Sequence, residues 1–150
     1  KMPYRVLGEG AFEWIGAWYK TILSSEDTEG EISVVDCVSP PGFGPPRHIH
    51  HNQDETFVIL TGRIEFWFEG TRFMRGPGET AYIPKGREHT FRIAEEEWSR
   101  HFVTTTPGGL DAFFEEMGRQ RLGLPHDLER VVESARRHAL EFTGPPLDDE

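Results

Sequence analysis

The sequence predicts an all-β sandwich or barrel of short strands, followed by two helices near the carboxyl terminus. In the middle of the chain, apolar and polar residues alternate with a period of two, as in strands buried on one face. Turn-forming residues interrupt this pattern at short intervals, which is typical of sandwiches and barrels. After Pro107-Gly108-Gly109 the apolar residues recur every three or four positions, the spacing of amphipathic helices.

Tight turns separate several of the predicted strands. Gly62 alone stands between two of them, and Glu69-Gly70 separates the next pair. The predicted strands cover residues 14–23, 31–38, 46–51, 55–61, 63–68, 72–74, 80–83, 89–93 and 99–105.

Two amphipathic helices are predicted after the strands. The first has its apolar stripe at Leu110, Phe113, Phe114 and Met117, and the second at Leu128, Val131, Val132, Ala135 and Ala139. Asp127 is the expected N-cap of the second helix, and the tail 144–150 is expected to be irregular. We therefore expect one domain over residues 1–150, with a barrel at about 14–106 and a helical appendage at about 107–143.

Composition and charge exclude several classes of function. A formal net charge of −10 disfavours nucleic acid and anionic membrane surfaces, since both need basic side chains for neutralisation. The longest aliphatic or aromatic run, 57–60, is far shorter than the roughly 20 residues of a membrane helix. The single cysteine, Cys37, cannot form an internal disulfide and is expected to pack in the core. With no secretory leader recognisable, we expect a cytoplasmic protein.

The strongest chemical signal lies in residues 46–55. Alternation places His48 and His50 on one side of a strand, roughly 6 to 7 Å apart, while His51 points the other way. Glu55 follows His50 by an odd number of residues, so a turn at 51–54 must intervene before Glu55 can face the same side.

A further imidazole comes from later in the chain. Pro84 and Gly86 predict a turn into a strand that begins at His89, and a curled sheet could bring His89 beside the other three side chains. Four such donors suit one divalent transition metal (Fe, Mn, Ni, Co, Cu or Zn) and leave one or two positions for water, oxygen or substrate. The alternative is a solvated polar turn. The remaining histidines, for which a structural role is expected, are His51, His101, His126 and His138.

The same alternation predicts what lines the interior. If Glu55 and His89 point inward, the residues two and four positions after each do so too, and the apolar face of strand 63–68 joins them. The predicted substrate contacts are Phe57, Ile59, Phe66, Phe91 and Ile93. They would suit a mainly apolar, aromatic substrate with one metal-binding oxygen. Alternatively, they simply fill a small barrel.

The two histidine-bearing segments resemble the two conserved motifs of the cupin superfamily. The first motif is matched at Gly42, His48, His50, Glu55 and Gly62, and the second at Gly78, Pro84, Gly86 and His89. Ile93 stands where cupins often carry Asn. That Asn is not usually a ligand, so this difference concerns the polarity around the site and not the set of metal ligands. The resemblance implies a double-stranded β-helix of jelly-roll type.

From Gly44 onward the chain is also similar to small single-domain cupins described as quercetin 2,3-dioxygenase-like. That resemblance implies a dioxygenase acting with O2 on an enolic or phenolic small molecule, with Glu55 as the catalytic residue that accepts the substrate hydroxyl proton. Two alternatives remain open. One is a non-redox enzyme, such as a polyketide cyclase or sugar isomerase, whose ion acts only as a Lewis acid. The other is a small-molecule-binding cupin without turnover.

Large aromatic residues are predicted on the outer sheet faces. Trp67 shares the outer face of its strand with Arg63 and Glu65, and Trp14 and Trp18 have no obvious core position. Such side chains need cover from the helices or from another chain. Because cupins often dimerise through such surfaces, we expect a homodimer.

Overall fold

A computed structural model describes residues 3–148. Two antiparallel sheets pack through their inner faces, and the predicted all-β class with two helices near the carboxyl terminus is confirmed. The elements are β1 (Phe12–Trp14), β2 (Ala17–Leu23), β3 (Ser33–Ser39), β4 (Pro46–His50), β5 (Asp54–Thr61), β6 (Ile64–Phe68), β7 (Thr71–Arg75), β8 (Thr80–Ile83), β9 (His89–Ile93), β10 (Ser99–Thr106), α1 (Leu110–Gln120), α2 (Leu128–Arg137) and β11 (Leu140–Pro146). Short 3-10 helices cover Pro3–Leu7 and Glu26–Thr28.

The strand order brings distant segments together. One sheet has the order β1-β2-β3-β10-β5-β8, and the other β11-β4-β9-β6-β7. The inner faces meet in an aromatic and aliphatic core, where the Phe57 ring of the first sheet lies 5.0 Å from the Phe66 ring of the second. β4 and β9, which carry the histidines of the two motifs, are neighbours in the second sheet.

The predicted strand 14–23 is in fact a hairpin. β1 pairs with β2, and the turn between them is Ile15-Gly16, with φ of 46° and 94°. Two consecutive positive φ angles suit the tight turns that match the twist of a hairpin. Isoleucine rarely adopts such a conformation, so only Gly16 signalled the turn in the sequence.

The carboxyl-terminal segment differs more from the prediction. The helical appendage was expected to end in an irregular tail, but Leu140–Pro146 form β11, which pairs with β4 at the edge of the second sheet. Proline is tolerated there because an edge strand leaves one row of N–H groups unpaired, and the register shifts on both sides of Gly144. Residues 149 and 150 of the predicted tail lie outside the described range.

Both predicted helices are present, with one difference in how they pack. Val131 and Ala135 of α2 are buried as expected, whereas Leu128 and Val132 are 49% and 43% exposed. Asp127 is the N-cap, but its carboxylate accepts a hydrogen bond from the Gly123 amide at 2.9 Å instead of capping the helix. No helix among the described residues is long and apolar enough to cross a membrane.

The three tryptophans expected to need cover obtain it within the chain. The Trp14 indole donates a hydrogen bond to the Leu122 carbonyl at 2.6 Å. Trp18 stacks on Tyr4 with ring centroids 4.1 Å apart. The Arg47 guanidinium lies 4.4 Å from the centre of the Trp67 ring.

Gly62, in the first motif, provides a stability test. Its φ is +81°, and an added Cβ would lie 2.7 Å from Ser99 Cα and 2.8 Å from the Trp98 carbonyl oxygen. Gly70 has a similar φ of +95° but no atom within 4 Å of an added Cβ. We expect Gly62→Ala to lower the free energy of unfolding by roughly 1–2 kcal/mol more than Gly70→Ala does, because both variants share the backbone strain and only the first adds a clash. Urea unfolding of both variants measures the difference, and equal losses would contradict the clash.

Candidate metal centre

The four predicted ligands meet at one place in the fold. Their ligand atoms all lie within 4.8 Å of one another, and all four side chains are buried. His48 of β4 is directly opposite His89 of β9. The predicted clustering of His48, His50, Glu55 and His89 is therefore confirmed.

The turn between His50 and Glu55 interrupts the alternation of side chains between the two faces of the strand. As predicted, it lets Glu55 face the same side as His48 and His50. His51 and Asn52 are exposed, and the His51 imidazole lies 2.8 Å from Glu141 on the surface. Gln53 is buried and donates to the Gly108 carbonyl at 3.0 Å, which holds the turn in place. The Gly86 amide donates to the His50 carbonyl at 2.8 Å, so the second motif is tied to the end of β4.

Backbone carbonyls set the tautomers of two imidazoles. His48 Nδ1 lies 2.7 Å from the Pro46 oxygen, and His89 Nδ1 lies 3.0 Å from the Arg87 oxygen. A carbonyl only accepts hydrogen bonds, so both Nδ1 atoms carry a proton, and Nε2 is the nitrogen that each ring in its neutral form offers to a metal. This arrangement is typical of histidines that bind a metal through Nε2.

The positions of the Glu55 oxygens fit a shared cation. Glu55 Oε1 lies 2.8 Å from His89 Nε2 and 3.4 Å from His50 Nε2. A nitrogen–oxygen separation of 2.8 Å calls for a cation between the two atoms, either a proton in a hydrogen bond or a metal ion that replaces it. Ligand atoms about 2.1 Å from one ion, at 90° to 110° to each other, lie roughly 3.0–3.4 Å apart. The 3.4 Å separation lies in this range and the 2.8 Å separation just below it, so the donor set is compatible with a transition-metal ion.

Protonation states agree with this interpretation. Burial lowers the pKa of His48 well below its usual value, and the nearby His89 and His50 lower it further. Burial also lowers the pKa of His50. For Glu55, burial raises the pKa, but the surrounding histidines outweigh this and lower it to about 2. Metal binding needs neutral imidazole and ionised carboxylate, and the pKa directions of His48, His50 and Glu55 favour these forms.

A cavity of about 60 Å³ opens from the cluster and is lined mainly by apolar side chains. Phe57 and Phe91 line it, as predicted. Ile59, Phe66 and Ile93 point inward by parity but lie in the core between the sheets and do not line the cavity. Direct contact of any of the five with a substrate stays a prediction.

Other parts of the cavity wall were not predicted from the sequence. Trp14, Phe113, Phe114 and Phe142 come from β1, α1 and β11. His101 of β10, which was expected to be structural, lines the cavity as well. Burial lowers the pKa of His101 to about 4. Ser99, His101, Val103 and Thr105 form the buried face of β10, but the sequence did not mark this face, because Phe102 and Val103 are adjacent apolar residues on opposite sides of the strand.

Comparison with known proteins agrees with the fold and the site. Residues 35–105 match the family described as "Cupin domain". The chain is 25% identical over 100 residues to a quercetin 2,3-dioxygenase of Bacillus subtilis (strain 168), which covers 67% of this chain and 29% of the relative. It is 39% identical over 49 residues to an uncharacterized protein of Aquifex aeolicus (strain VF5), which covers 33% of this chain and 40% of that protein. The chain thus spans less than half the length of both curated relatives.

Solved structures show the same fold at low identity. The cupin domain of Cnp3 from Schizosaccharomyces pombe has a TM-score of 0.61 at 18% identity, over 79% of each chain. KdgF from Halomonas sp. has a TM-score of 0.58 at 20% identity, over 65% of this chain and 84% of that one. The polyketide cyclase RemF from Streptomyces resistomycificus has a TM-score of 0.54 at 21% identity, over 65% of this chain and 67% of that one.

A jelly-roll-like sandwich with three histidines and one glutamate buried between its sheets is the arrangement of a metal-binding cupin. The chain belongs to the cupin superfamily.

Proposed function

We propose that this cupin is a metal-dependent dioxygenase acting on a small enolic or phenolic molecule. The observation that carries the proposal is the buried three-histidine, one-glutamate cluster beside an apolar, aromatic-lined cavity. Similarity to a quercetin 2,3-dioxygenase over 67% of the chain supports it. Charged sugars and phosphates would meet few partners in such a cavity.

His48, His50, Glu55 and His89 would hold the metal, since their ligand atoms converge. A bound transition-metal ion polarises a substrate oxygen and, where it is redox-active, supports chemistry with O2. Glu55 is ionised at neutral pH, because its pKa is about 2, and it accepts the proton of the substrate hydroxyl. Phe57 and Phe91 hold the apolar body of the substrate and exclude water from it.

The cavity favours a compact substrate. At about 60 Å³ it is smaller than the roughly 150 Å³ apolar cavity that holds a benzene ring in another protein. Ile15, Phe114 and Phe142 line it and are only partly buried, so they are the side chains that would move to admit a ring. We therefore propose a small enol or a single phenolic ring as substrate, in preference to a flavonol.

The proposal is tested by elemental analysis of the untagged protein, followed by oxygen-uptake assays with small enols, phenols and flavonols. Oxygen consumption that depends on the bound metal and on a compact substrate is the expected result. Turnover under strict anaerobiosis, or full activity with Zn, would contradict it and favour a non-redox cyclase or isomerase. Tight binding of sugar phosphates without any response to phenols would favour the isomerase.

The base role of Glu55 predicts a specific loss. Glu55→Gln keeps an oxygen that can face the metal but cannot accept a proton, so aerobic turnover should fall by roughly 100-fold or more. The metal content of the variant, measured in the same sample, shows how much of the loss is due to the base. Glu141→Gln, the same change at an exposed residue, serves as the control and should keep full turnover. Retained turnover in a metal-loaded Glu55→Gln protein would rule out the base role.

Self-association remains a prediction. The tryptophans that suggested it are covered within the chain, so they need no second copy. The edge strand β8 exposes Tyr82, a residue that is 59% accessible, and it offers a surface for a homodimer. Light scattering at micromolar concentrations should give a dimeric mass, and a monomeric mass throughout would reject the homodimer.

A further inference from the structure

His101 is a buried imidazole in the cavity wall that lies outside the metal-ligand cluster. It is 2% exposed, and β10 places it between Cys37 of β3 and Ile59 of β5. Its ring centroid lies 5.4 Å from that of Phe57 and 5.8 Å from that of Phe91. It borders the same cavity as His48, His50 and Glu55.

Strand register places His101 at a distance from the cluster. Glu55 of β5 pairs with Thr105 of β10, and His101 lies two inward positions further along the strand. At about 3.4 Å per residue, this is roughly 14 Å along the backbone. Phe57 pairs with Val103, halfway between them. The cavity thus has a polar cluster, then an aromatic stretch, then a second polar group.

The imidazole of His101 has unused hydrogen-bonding capacity. Its Nδ1 atom is buried and has no hydrogen-bond partner among residues 3–148. Buried polar atoms are normally paired, because leaving one unpaired costs free energy, so a partner absent from the chain itself is expected. Because burial lowers its pKa to about 4, the ring is neutral at pH 7. A neutral imidazole has one donor and one acceptor nitrogen, and a hydroxyl group can pair with either.

We propose that His101 is a positioning residue that hydrogen-bonds a second oxygen substituent of the substrate, at the end remote from the oxygen that faces the metal ligands. This inference takes the substrate class, an enolic or phenolic molecule, from the proposed function. Within that class it selects substrates with a second oxygen substituent. The preferred substrate is a compact apolar body with oxygen substituents at opposite ends, rather than one with a single hydroxyl.

The test compares two probes that differ only in the second hydroxyl. Phenol and 1,4-dihydroxybenzene are titrated against Zn-loaded protein at pH 7, where Zn prevents redox turnover. The free-energy cost of moving side chains to admit a ring is the same for both probes. It therefore cancels in the ratio of their affinities. Wild-type protein should bind the dihydroxy compound about 4- to 20-fold more tightly, because its two equivalent hydroxyls contribute a statistical factor of about 2 and one hydrogen bond contributes about 2- to 10-fold. His101→Phe should reduce this preference to the statistical factor of about 2 and keep both the bound Zn and the phenol affinity.

Further variants separate hydrogen bonding from shape. His101→Asn places an amide near the position of Nδ1, and His101→Gln places one near Nε2, so one of them should restore part of the preference. Val35→Ala, a buried change on neighbouring β3 that does not line the cavity, should leave the preference unchanged. Restoration by neither amide, loss of the preference in Val35→Ala, or no binding of either probe would overturn the inference.

The outcome is distinguishable from failure of the proposed function. Absence of oxygen uptake with every enol and phenol, together with a preference that depends on His101, would reject the dioxygenase and keep the positioning role. Oxygen uptake together with the same preference in His101→Phe would reject the positioning role alone.

Discussion

Replacing His48 or His89 by alanine is expected to remove most of the bound metal, whereas His51→Ala should keep it. The first two imidazoles lie opposite each other in β4 and β9, and backbone carbonyls orient both. His51 is a neighbour in sequence but is exposed and paired with Glu141. Loss of a hydrogen-bond partner of a ligand already weakens metal binding by roughly 10- to 100-fold, so loss of a ligand should weaken it by about 100-fold or more.

Metal-to-protein ratios after dialysis against a weak chelator measure this effect, with circular dichroism as the check on folding. His51→Ala is the matched control, because it removes the same side chain three residues from His48 and leaves the buried cluster intact. Equal metal loss from His51→Ala and His48→Ala would show that the cluster in the structure is not the metal site.

Much of this site could be predicted because three of its four residues are close together in the sequence. Alternation along a strand is enough to place His48 and His50 together and His51 apart, and the structure has this arrangement. The odd spacing to Glu55 required a turn, which begins at His51. That His89 could lie beside the other three side chains was suggested by the turn signals before it and by the resemblance to two cupin motifs, and the pairing of β4 with β9 places it there.

The features that were missed depend on contacts between distant segments. Which residue of β10 faces the cavity depends on its register with β3 and β5, and the sequence of β10 alone does not reveal that register, so His101 was missed. β11 contains a Gly-Pro-Pro segment that disfavours a central strand, and only its place at the sheet edge makes it possible. The cavity wall formed by Phe113 and Phe114 depends on how α1 packs against the strands, which helical spacing alone does not determine.

Without bound metal, the protein is expected to lose stability as the pH falls from about 6.5 to 4, and His101→Phe should lose less. Burial lowers the pKa of His101 from the ordinary value of 6.5 to about 4. Between these pH values the unfolded chain binds a proton that the folded chain does not, so acid favours unfolding. The stabilising contribution is complete above pH 6.5 and is lost as the pH falls towards 4. That difference in pKa corresponds to about 3 kcal/mol.

The other buried groups act in the same direction. Burial lowers the pKa values of His48 and His50 as well, so they add to the loss below pH 6.5. Glu55, whose pKa is lowered to about 2, contributes stability above pH 4.5 that is lost only as the pH falls from 4.5 towards 2. The window from 6.5 to 4 therefore reports mainly on the histidines.

Urea unfolding at pH 7 and pH 4 in the presence of a chelator measures the effect, since bound metal would stabilise the folded state and mask it. In His101→Phe the loss between the two pH values should be about 3 kcal/mol smaller than in the wild type, because phenylalanine does not titrate. His51→Ala removes an exposed imidazole and should show the wild-type loss. An identical loss in His101→Phe and wild type would place the acid-sensitive proton on another group, and His48 and His50 would then be the candidates.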